Sequence, residues 1–146
     1  MAELKEKDKS NLAGILYLMK LALPEGFYFR IRLQKMVLLA KQEFSFPFSF
    51  NYESHYYGPY SEQLQSFVSD CVNNDYISEK IIEIGEESFG SLYSLTKDGE
   101  KILNSLSFPK EEFNKLDKVW TTYKDKPTEL LVKKAKEMSG IKSKNE

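Results

Sequence analysis

The sequence predicts a mostly helical α+β fold, and three features support this. Apolar residues recur at helical spacing in several segments along the chain. Two runs rich in β-branched and aromatic residues flank the polar turn candidate at 85–88, which is typical of a hairpin. Aromatic residues also alternate strictly with polar ones over 44–52. The predicted order is therefore helix, helix, extended segment, helix, hairpin and further helices.

Two helices are predicted in the first 43 residues. Ser10 is typical of an N-cap, and the apolar residues after it end at a helix-stopping Pro24–Glu25–Gly26 segment. That apolar face consists of Leu12, Ile15, Leu16, Met19 and Leu23. The second helix is predicted from about residue 30 to residue 43, with Arg30, Gln34 and Lys41 mainly on faces away from the core.

The alternating aromatics of residues 44–52 predict an edge strand or an extended segment, because Pro47 cannot donate a ladder hydrogen bond. We expect their aromatic side to lie on the core. The alternative is an exposed platform that stacks nucleic-acid bases. Because no basic residue is interleaved, core packing is favoured.

The central part of the chain predicts a turn, a helix and a hairpin in succession. The third helix opens at Tyr60 or Ser61 and closes near 73–75, with Cys71 on its apolar face. The hairpin strands are predicted at 76–84 and 89–95. Thr96 then caps another helix, in which Gly99 allows close backbone contact. Two more helices follow Pro109.

This order is typical of a winged helix-turn-helix, with the third helix in the recognition position and the hairpin as a two-stranded β-wing. The predicted organisation is a flexible N-terminus over 1–9, a winged-helix domain over 10–107, an appended helical extension over 108–139 and a flexible tail over 140–146.

Two segments resemble a known family. Residues 32–40 (RLQKMVLLA) and 57–64 (YGPYSEQL) resemble the paired motifs of the Panacea-type, phage-associated and YwgA-like proteins of bacteria and archaea. The resemblance covers roughly residues 11–106 and implies a winged-helix-related module; some members act as antitoxins or as adaptors that engage a partner protein. Arg32 stands where the family usually has lysine, an aromatic strand precedes the Gly-Pro turn, and the helices after Pro109 fall outside the resemblance.

The parts of an enzyme are missing from the sequence. His55 and Cys71 are the single histidine and cysteine, and they lie 16 positions apart in different local contexts. There is no cluster with metal-ligand spacing, no phosphate-binding loop and no nucleophile elbow. We therefore expect no catalytic residue, no metal and no cofactor. The charged N-terminus, the lone cysteine and the lack of a long apolar run predict a cytoplasmic protein that does not engage membranes.

Charge favours a protein partner over DNA. Residues 42–100 carry a net charge of −9 between flanks of +4 each. The predicted recognition helix contains Glu62 and Asp70 and no basic residue, and the wing has four glutamates against Lys80, so phosphates would be repelled. We predict that a basic protein binds this acidic helix-and-wing face. The candidate partner-binding residues are Tyr56, Tyr57, Tyr60, Glu62, Glu86 and Glu87. Core packing would explain the tyrosines equally well, and Tyr60 is expected to be the most exposed.

The alternative is a DNA-binding transcription regulator that uses a basic patch elsewhere. Its candidate residues are Arg30, Arg32, Lys35, Lys133 and Lys134. These residues could instead lie on solvated helix faces. Arg30 and Arg32 could also form ion pairs with the acidic middle of the chain. A final stripe, Phe113, Leu116, Trp120 and Tyr123, either packs on the core, which is favoured, or forms a homodimer contact.

Overall fold

The computed structural model of the chain describes residues 6–144 and shows a mostly helical α+β architecture. Within that range, six helices pack around a small antiparallel sheet. In chain order they are α1 (Glu6–Leu21), α2 (Arg30–Gln42), α3 (Glu62–Asn73), α4 (Lys97–Ser105), α5 (Lys110–Tyr123) and α6 (Thr128–Ser139).

The strands form one three-stranded sheet and one short ribbon. They are β1 (Phe27–Tyr28), β2 (Glu53–His55), β3 (Gly58–Tyr60), β4 (Ile77–Gly85) and β5 (Ser88–Leu95). The sheet has the order β1-β5-β4, and β2 pairs with β3. The β4–β5 hairpin confirms the prediction within two residues at each boundary. By contrast, β1 and the β2–β3 ribbon are too short to give a periodic signal, so the sequence did not predict them.

The core is continuous through all of the helices. The helices α5 and α6 pack against α1 and α2 and place Leu116, Val119, Tyr123 and Leu131 in the same buried cluster as the first three helices. Residue 107 is therefore not a packing boundary, and the predicted extension over 108–139 is an integral part of the fold. Packing of the predicted stripe on the core, the favoured of its two interpretations, is observed: Leu116 and Tyr123 are buried, and Phe113 and Trp120 are half-buried against the same core. The homodimer contact stays a prediction.

Helix α2 is surrounded by other elements. Every residue from Leu33 to Ala40 is buried, since α5, α6 and β3 all pack against this helix. The sequence placed Gln34 away from the core, and that prediction is wrong. Both Gln34 and Lys35 are only 1% exposed. Two polar side chains in such a position require hydrogen-bond partners.

The alternating aromatics of residues 44–52 pack on the core as predicted, with Phe46, Phe48 and Phe50 buried. The segment is extended but pairs with no strand. Asn11 holds it against α1: its side-chain oxygen accepts from the Ser49 N–H (3.0 Å), and its amide nitrogen donates to Ser49 Oγ (2.9 Å). Burial of these rings excludes the exposed base-stacking platform.

The N-terminus differs from the prediction. Helix α1 already includes Glu6, so Ser10 lies inside it and is buried rather than acting as an N-cap. Residues 6–9 belong to this helix and not to a flexible arm; residues 1–5 lie outside the described range. Leu23 follows the end of the helix and is exposed, although its spacing predicted burial.

Two other local predictions are confirmed. Ser61 Oγ accepts a hydrogen bond from the Leu64 N–H (3.1 Å) and caps α3, and Thr96 Oγ1 accepts from the Gly99 N–H (2.9 Å) and caps α4. A Cβ on Gly99 would lie 2.1 Å from the carbonyl oxygen of Tyr76. The close backbone contact expected there is therefore real, and only glycine permits it.

Gly14 gives a direct test of the contact between α1 and the aromatic segment. A Cβ at this position would lie 2.4 Å from the Phe48 ring and 2.6 Å from the Phe46 ring. We expect Gly14→Ala to lower the free energy of unfolding by about 1–3 kcal/mol, because overpacking outweighs the helix propensity gained.

Urea unfolding measures this change. The matched control is Gly85→Ala, whose Cβ would meet no atom closer than 4.0 Å. We expect it to change stability by less than about 0.5 kcal/mol. Equal effects of the two variants would contradict the packing described.

Candidate functional site

The junction between α2 and α3 is built by the two sequence motifs. The Gln34 side chain makes two hydrogen bonds to the backbone of Ser61: its oxygen accepts from the N–H (2.8 Å) and its nitrogen donates to the carbonyl (2.9 Å). Lys35 Nζ donates to the carbonyl oxygen of Pro59 (2.6 Å). The motif at 32–40 therefore binds the backbone of the motif at 57–64 and fixes where α3 begins.

Arg32 binds the end of α5. Its guanidinium donates to the carbonyl oxygens of Lys126 (2.7 Å), Tyr123 (3.1 Å) and Lys124 (3.3 Å). Carbonyls in the last turn of a helix have no partner within the helix, so a cation there satisfies them and opposes the negative end of the helix dipole. Arg32 thus has a structural role.

A polar cluster lies at the base of the β4–β5 hairpin. Glu79 Oε2 accepts from Arg30 Nη2 (2.8 Å) and from Ser91 Oγ (2.6 Å), and Arg30 Nε donates to the Tyr93 hydroxyl (3.2 Å). Burial alone would raise the pKa of Glu79, but the bonds from Ser91 and Arg30 hold it below its ordinary value. The cluster therefore keeps a charged carboxylate between the hairpin and α2.

Beside this cluster lies an apolar groove of about 560 Å³, between the hairpin and the first turns of α2 and α6. Its apolar lining is Phe29, Ile31, Ile81, Ile84 and Phe89, and Arg30, Ser91 and Thr128 supply the polar part. Ile81 is 61% exposed, Ile84 51% and Phe89 64%. These three large side chains form an exposed apolar patch on one side of the groove.

Exposed acidic residues lie on the hairpin and at the start of α3. Glu83, Glu86 and Glu87 are exposed on the hairpin, and Glu62 is exposed at the first turn of α3. The outer side of α3 is polar and contains no lysine or arginine; its exposed residues are Glu62, Gln63, Ser66, Ser69, Asp70 and Asn73. The exposed side chains of α3 and of the hairpin turn therefore give this part of the surface a negative charge.

The predicted tyrosine anchors divide into two kinds. Tyr56 and Tyr57 form the tip of the β2–β3 ribbon and are exposed. Tyr60, expected to be the most exposed, is half-buried, and its ring lies 4.5 Å from that of His55. His55 Nε2 also lies 3.7 Å from Glu62 Oε1. The expectation for Tyr60 was wrong because the sequence did not predict the ribbon.

The segment after α6 packs on this ribbon. Ser54 Oγ donates to the carbonyl of Lys142 (2.6 Å), and the Lys144 N–H donates to the carbonyl of His55 (2.7 Å). Lys142 and Lys144 therefore contact the ribbon, residues 145–146 lie outside the described range, and the flexibility of 140–146 stays a prediction.

The residues of the predicted basic patch have different environments. Lys35 is buried, Arg32 binds the end of α5, and Arg30 pairs with Glu79. Lys133 and Lys134 are exposed on α6. Three of the five predicted cations therefore already bind groups within the fold, which leaves less positive charge for a phosphate backbone.

The single cysteine lies in the core, and the described residues contain no metal-binding cluster. Cys71 is buried, and burial together with Asp70 raises the pKa of its thiol to about 12. No group of three His, Cys, Asp or Glu within residues 6–144 could hold a metal ion. The same range contains no helix with the length and hydropathy needed to cross a membrane.

Comparison with known proteins gives a partial match. Over 75 residues the chain is 39% identical to a protein of Bacillus subtilis (strain 168), and the aligned part is 51% of this chain and 44% of that protein. The chain is similar to YwgA. The printed name, "Uncharacterized protein YwgA", assigns no activity, so the match supports the YwgA-like part of the resemblance and transfers no function. The chain spans less than half the length of YwgA, and no family model matches it.

The groove was not predicted from the sequence, although a signal was present. Large apolar residues are clustered at the turn end of the hairpin, at Ile81, Ile84 and Phe89. The irregularity between Glu83 and Gly85 brings Ile84 to the groove together with Ile81, which strict alternation along β4 does not predict.

Lys35 gives a pH-dependent test of the α2–α3 junction. Burial, and then the charge of Lys136, lower the pKa of Lys35 to about 8 from an ordinary value of 10.5. Between these values the folded chain binds fewer protons than the unfolded chain, so the free energy of unfolding rises with pH. We expect a rise of about 1–3 kcal/mol relative to Lys35→Met between pH 8 and 10.5, measured by urea unfolding.

Lys20→Met is the matched control for this experiment, since Lys20 is exposed on α1. Its pH dependence should run parallel to that of the wild type. A parallel curve for Lys35→Met as well would show that Lys35 is not held in the buried environment described.

Proposed function

We propose that the chain is a non-catalytic regulatory module of winged-helix type that binds a protein partner through the acidic face formed by α3 and the β4–β5 hairpin. The observation that carries the proposal is the exposure of Ile81, Ile84 and Phe89 beside exposed carboxylates. Exposed apolar groups with a charged border are typical of a surface that another protein covers.

The winged-helix description is supported by topology. The chain runs α1, β1, α2, α3, β4, β5, and the sheet has the order β1-β5-β4. In this arrangement α3 occupies the recognition position and the β4–β5 hairpin occupies that of the wing. The Panacea-type resemblance belongs to the same proposal, since some proteins of that kind act as antitoxins or adaptors.

The charge of this face favours a basic partner. A cationic toxin, or a nucleic-acid-binding protein whose surface the module masks, would be attracted by Glu62, Glu83, Glu86 and Glu87. Such complementarity accelerates encounter and discriminates against acidic proteins. An antitoxin-like or adaptor-like role follows from this charge together with the groove.

DNA binding is the weaker proposal. Docking of a recognition helix requires cations close to phosphates. The exposed side of α3 has none, and Arg32 and Lys35 of the alternative patch are bound within the fold. Lys133 and Lys134 alone offer fewer phosphate contacts than DNA-binding proteins use.

Charge reversal tests partner binding. We expect the triple change of Glu62, Glu86 and Glu87 to Lys to abolish capture of the partner from a lysate of the native host, because the basic partner is then repelled. The measurement is affinity capture with identification of bound proteins by mass spectrometry.

The matched control reverses Glu25, Glu111 and Glu137, which are exposed on other surfaces and give the same change in net charge. This control should retain the partner. If the first triple variant captures the same proteins as the wild type, the proposed function is wrong.

Duplex DNA provides a second test. We expect no salt-sensitive binding of a fluorescent duplex to the wild type at low ionic strength, measured by anisotropy. Binding that is weakened by salt and by Lys134→Glu or Arg30→Glu would instead favour the DNA-binding proposal.

A further inference from the structure

The outer edge of β4 is open. In the sheet order β1-β5-β4 no described strand lies beyond β4. The Thr96 N–H donates to the Tyr76 carbonyl (3.1 Å), so even-numbered residues of β4 bond to β5. Along an antiparallel strand, residues that bond to the neighbouring strand alternate with residues whose N–H and C=O groups point to the other side. Glu79, Ile81 and Glu83 therefore direct their N–H and C=O groups toward the open edge.

The hydrogen bonds between β5 and β1 agree with this assignment of inward and outward peptide groups in β4. The Phe29 N–H donates to the Ser91 carbonyl (2.8 Å), so odd-numbered residues of β5 bond on the β1 side. Even-numbered residues of β5 therefore bond to β4, where their partners are also even-numbered. The run of outward peptide groups ends at the irregularity between Glu83 and Gly85.

The open edge lies beside the groove. Ile81 belongs to both, since its peptide group points outward and its side chain lines the groove. A strand added to β4 would lie about 4.8 Å away, and its side chains would alternate between the two faces of the sheet. One set of alternate side chains would therefore extend the apolar surface formed by Ile81, Ile84 and Phe89.

The added strand could belong to a second copy of the chain or to a different protein, and charge favours a different protein. The hairpin carries four glutamates against Lys80. In a symmetric pair of β4 strands centred on Ile81, Glu79 of each copy would face Glu83 of the other. Like charges directly opposite each other destabilise a strand pair. A strand with basic side chains next to an apolar one on the groove face would instead place opposite charge beside Glu83, which shares that face with Ile81, and near the turn glutamates Glu86 and Glu87.

We infer that the outer edge of β4 accepts an extended basic segment of the partner as an added strand, with a large apolar side chain over the groove beside Ile81 and basic side chains at the neighbouring positions of the same face. This inference rests on the proposed function and specifies how the partner is held. Main-chain hydrogen bonds supply affinity in such pairing, and the alternate side chains supply specificity.

The peptide Thr-Lys-Thr-Val-Thr-Lys-Thr, called the valine–lysine peptide, tests the inference because it places valine and two lysines on one face of an added strand. The full chain, labelled with ¹⁵N, is titrated with this peptide, and amide hydrogen exchange is measured residue by residue. We expect the peptide to protect the amides of Glu79, Ile81 and Glu83. The amides of Ser78, Lys80 and Ile82 are already bonded to β5 and should change little.

Two control peptides separate the contribution of side-chain charge from that of the main-chain hydrogen bonds. The same peptide with glutamate in place of both lysines keeps the apolar side chain and should bind at least about tenfold more weakly, because the hairpin repels it. A valine–lysine peptide that is N-methylated at alternate residues keeps the side chains but lacks the donors toward β4. We expect its binding to be lost.

A pair of protein variants locates the binding edge. Ile81→Lys places a charge in the groove and should weaken binding of the valine–lysine peptide at least about tenfold. Ser78→Lys adds the same charge on the other face of β4 and should weaken it less than about threefold. Both side chains are exposed, so both variants are expected to fold.

Several results would overturn the inference. One is that the valine–lysine peptide does not bind. Another is that it protects the amides of β4 without alternation. A third is that the chain alone forms a dimer with the same alternating protection. If charge reversal abolishes partner capture but the alternation is absent, strand addition is wrong and the proposed function stands. If charge reversal leaves capture unchanged, both are wrong.

Discussion

The buried contact between Gln34 and the backbone of Ser61 sets the geometry of the rest of the molecule. An amide side chain in the centre of a helix can satisfy one N–H and one C=O at once, and here it does so where the next helix begins. Lys35 adds a hydrogen bond to the carbonyl of Pro59, two residues before Ser61. Because α2 is enclosed on several sides, these bonds form where water cannot compete for them. The start of α3, and through α3 the start of β4, are thereby placed relative to the core.

This arrangement also explains the distribution of charge on the surface. Arg30, Arg32 and Lys35 lie within six residues, yet each binds a different group of the fold: a carboxylate, a helix end and a carbonyl of β3. The acidic residues of the hairpin turn have no such internal partners among the described residues and stay exposed. A net charge of −1 therefore conceals a face that is clearly acidic.

Local signals in the sequence predicted local structure well. The caps at Ser61 and Thr96, the hairpin and the buried side of residues 44–52 each depend on a few neighbouring residues. The role of Gln34 could not be predicted, because its partner Ser61 is 27 residues away in the sequence. A polar amide side chain is expected at the surface, and here its hydrogen bonds to Ser61 allow it to be buried. The two residues of β1 pair only because β5 already presents an edge. For the candidate site, the acidic residues followed from composition, whereas the groove requires α2, α6 and the hairpin to be placed together.

The burial of Cys71 has a practical consequence. It is the single cysteine of the chain, and its thiol lies in the core with a raised pKa. Thiolate-selective reagents react with the ionised form, so this position should remain unmodified while the protein is folded. A cysteine introduced on the hairpin could then carry a fluorophore or spin label without first replacing Cys71. The native chain already provides a background suitable for spectroscopic distance measurements between the hairpin and a bound molecule.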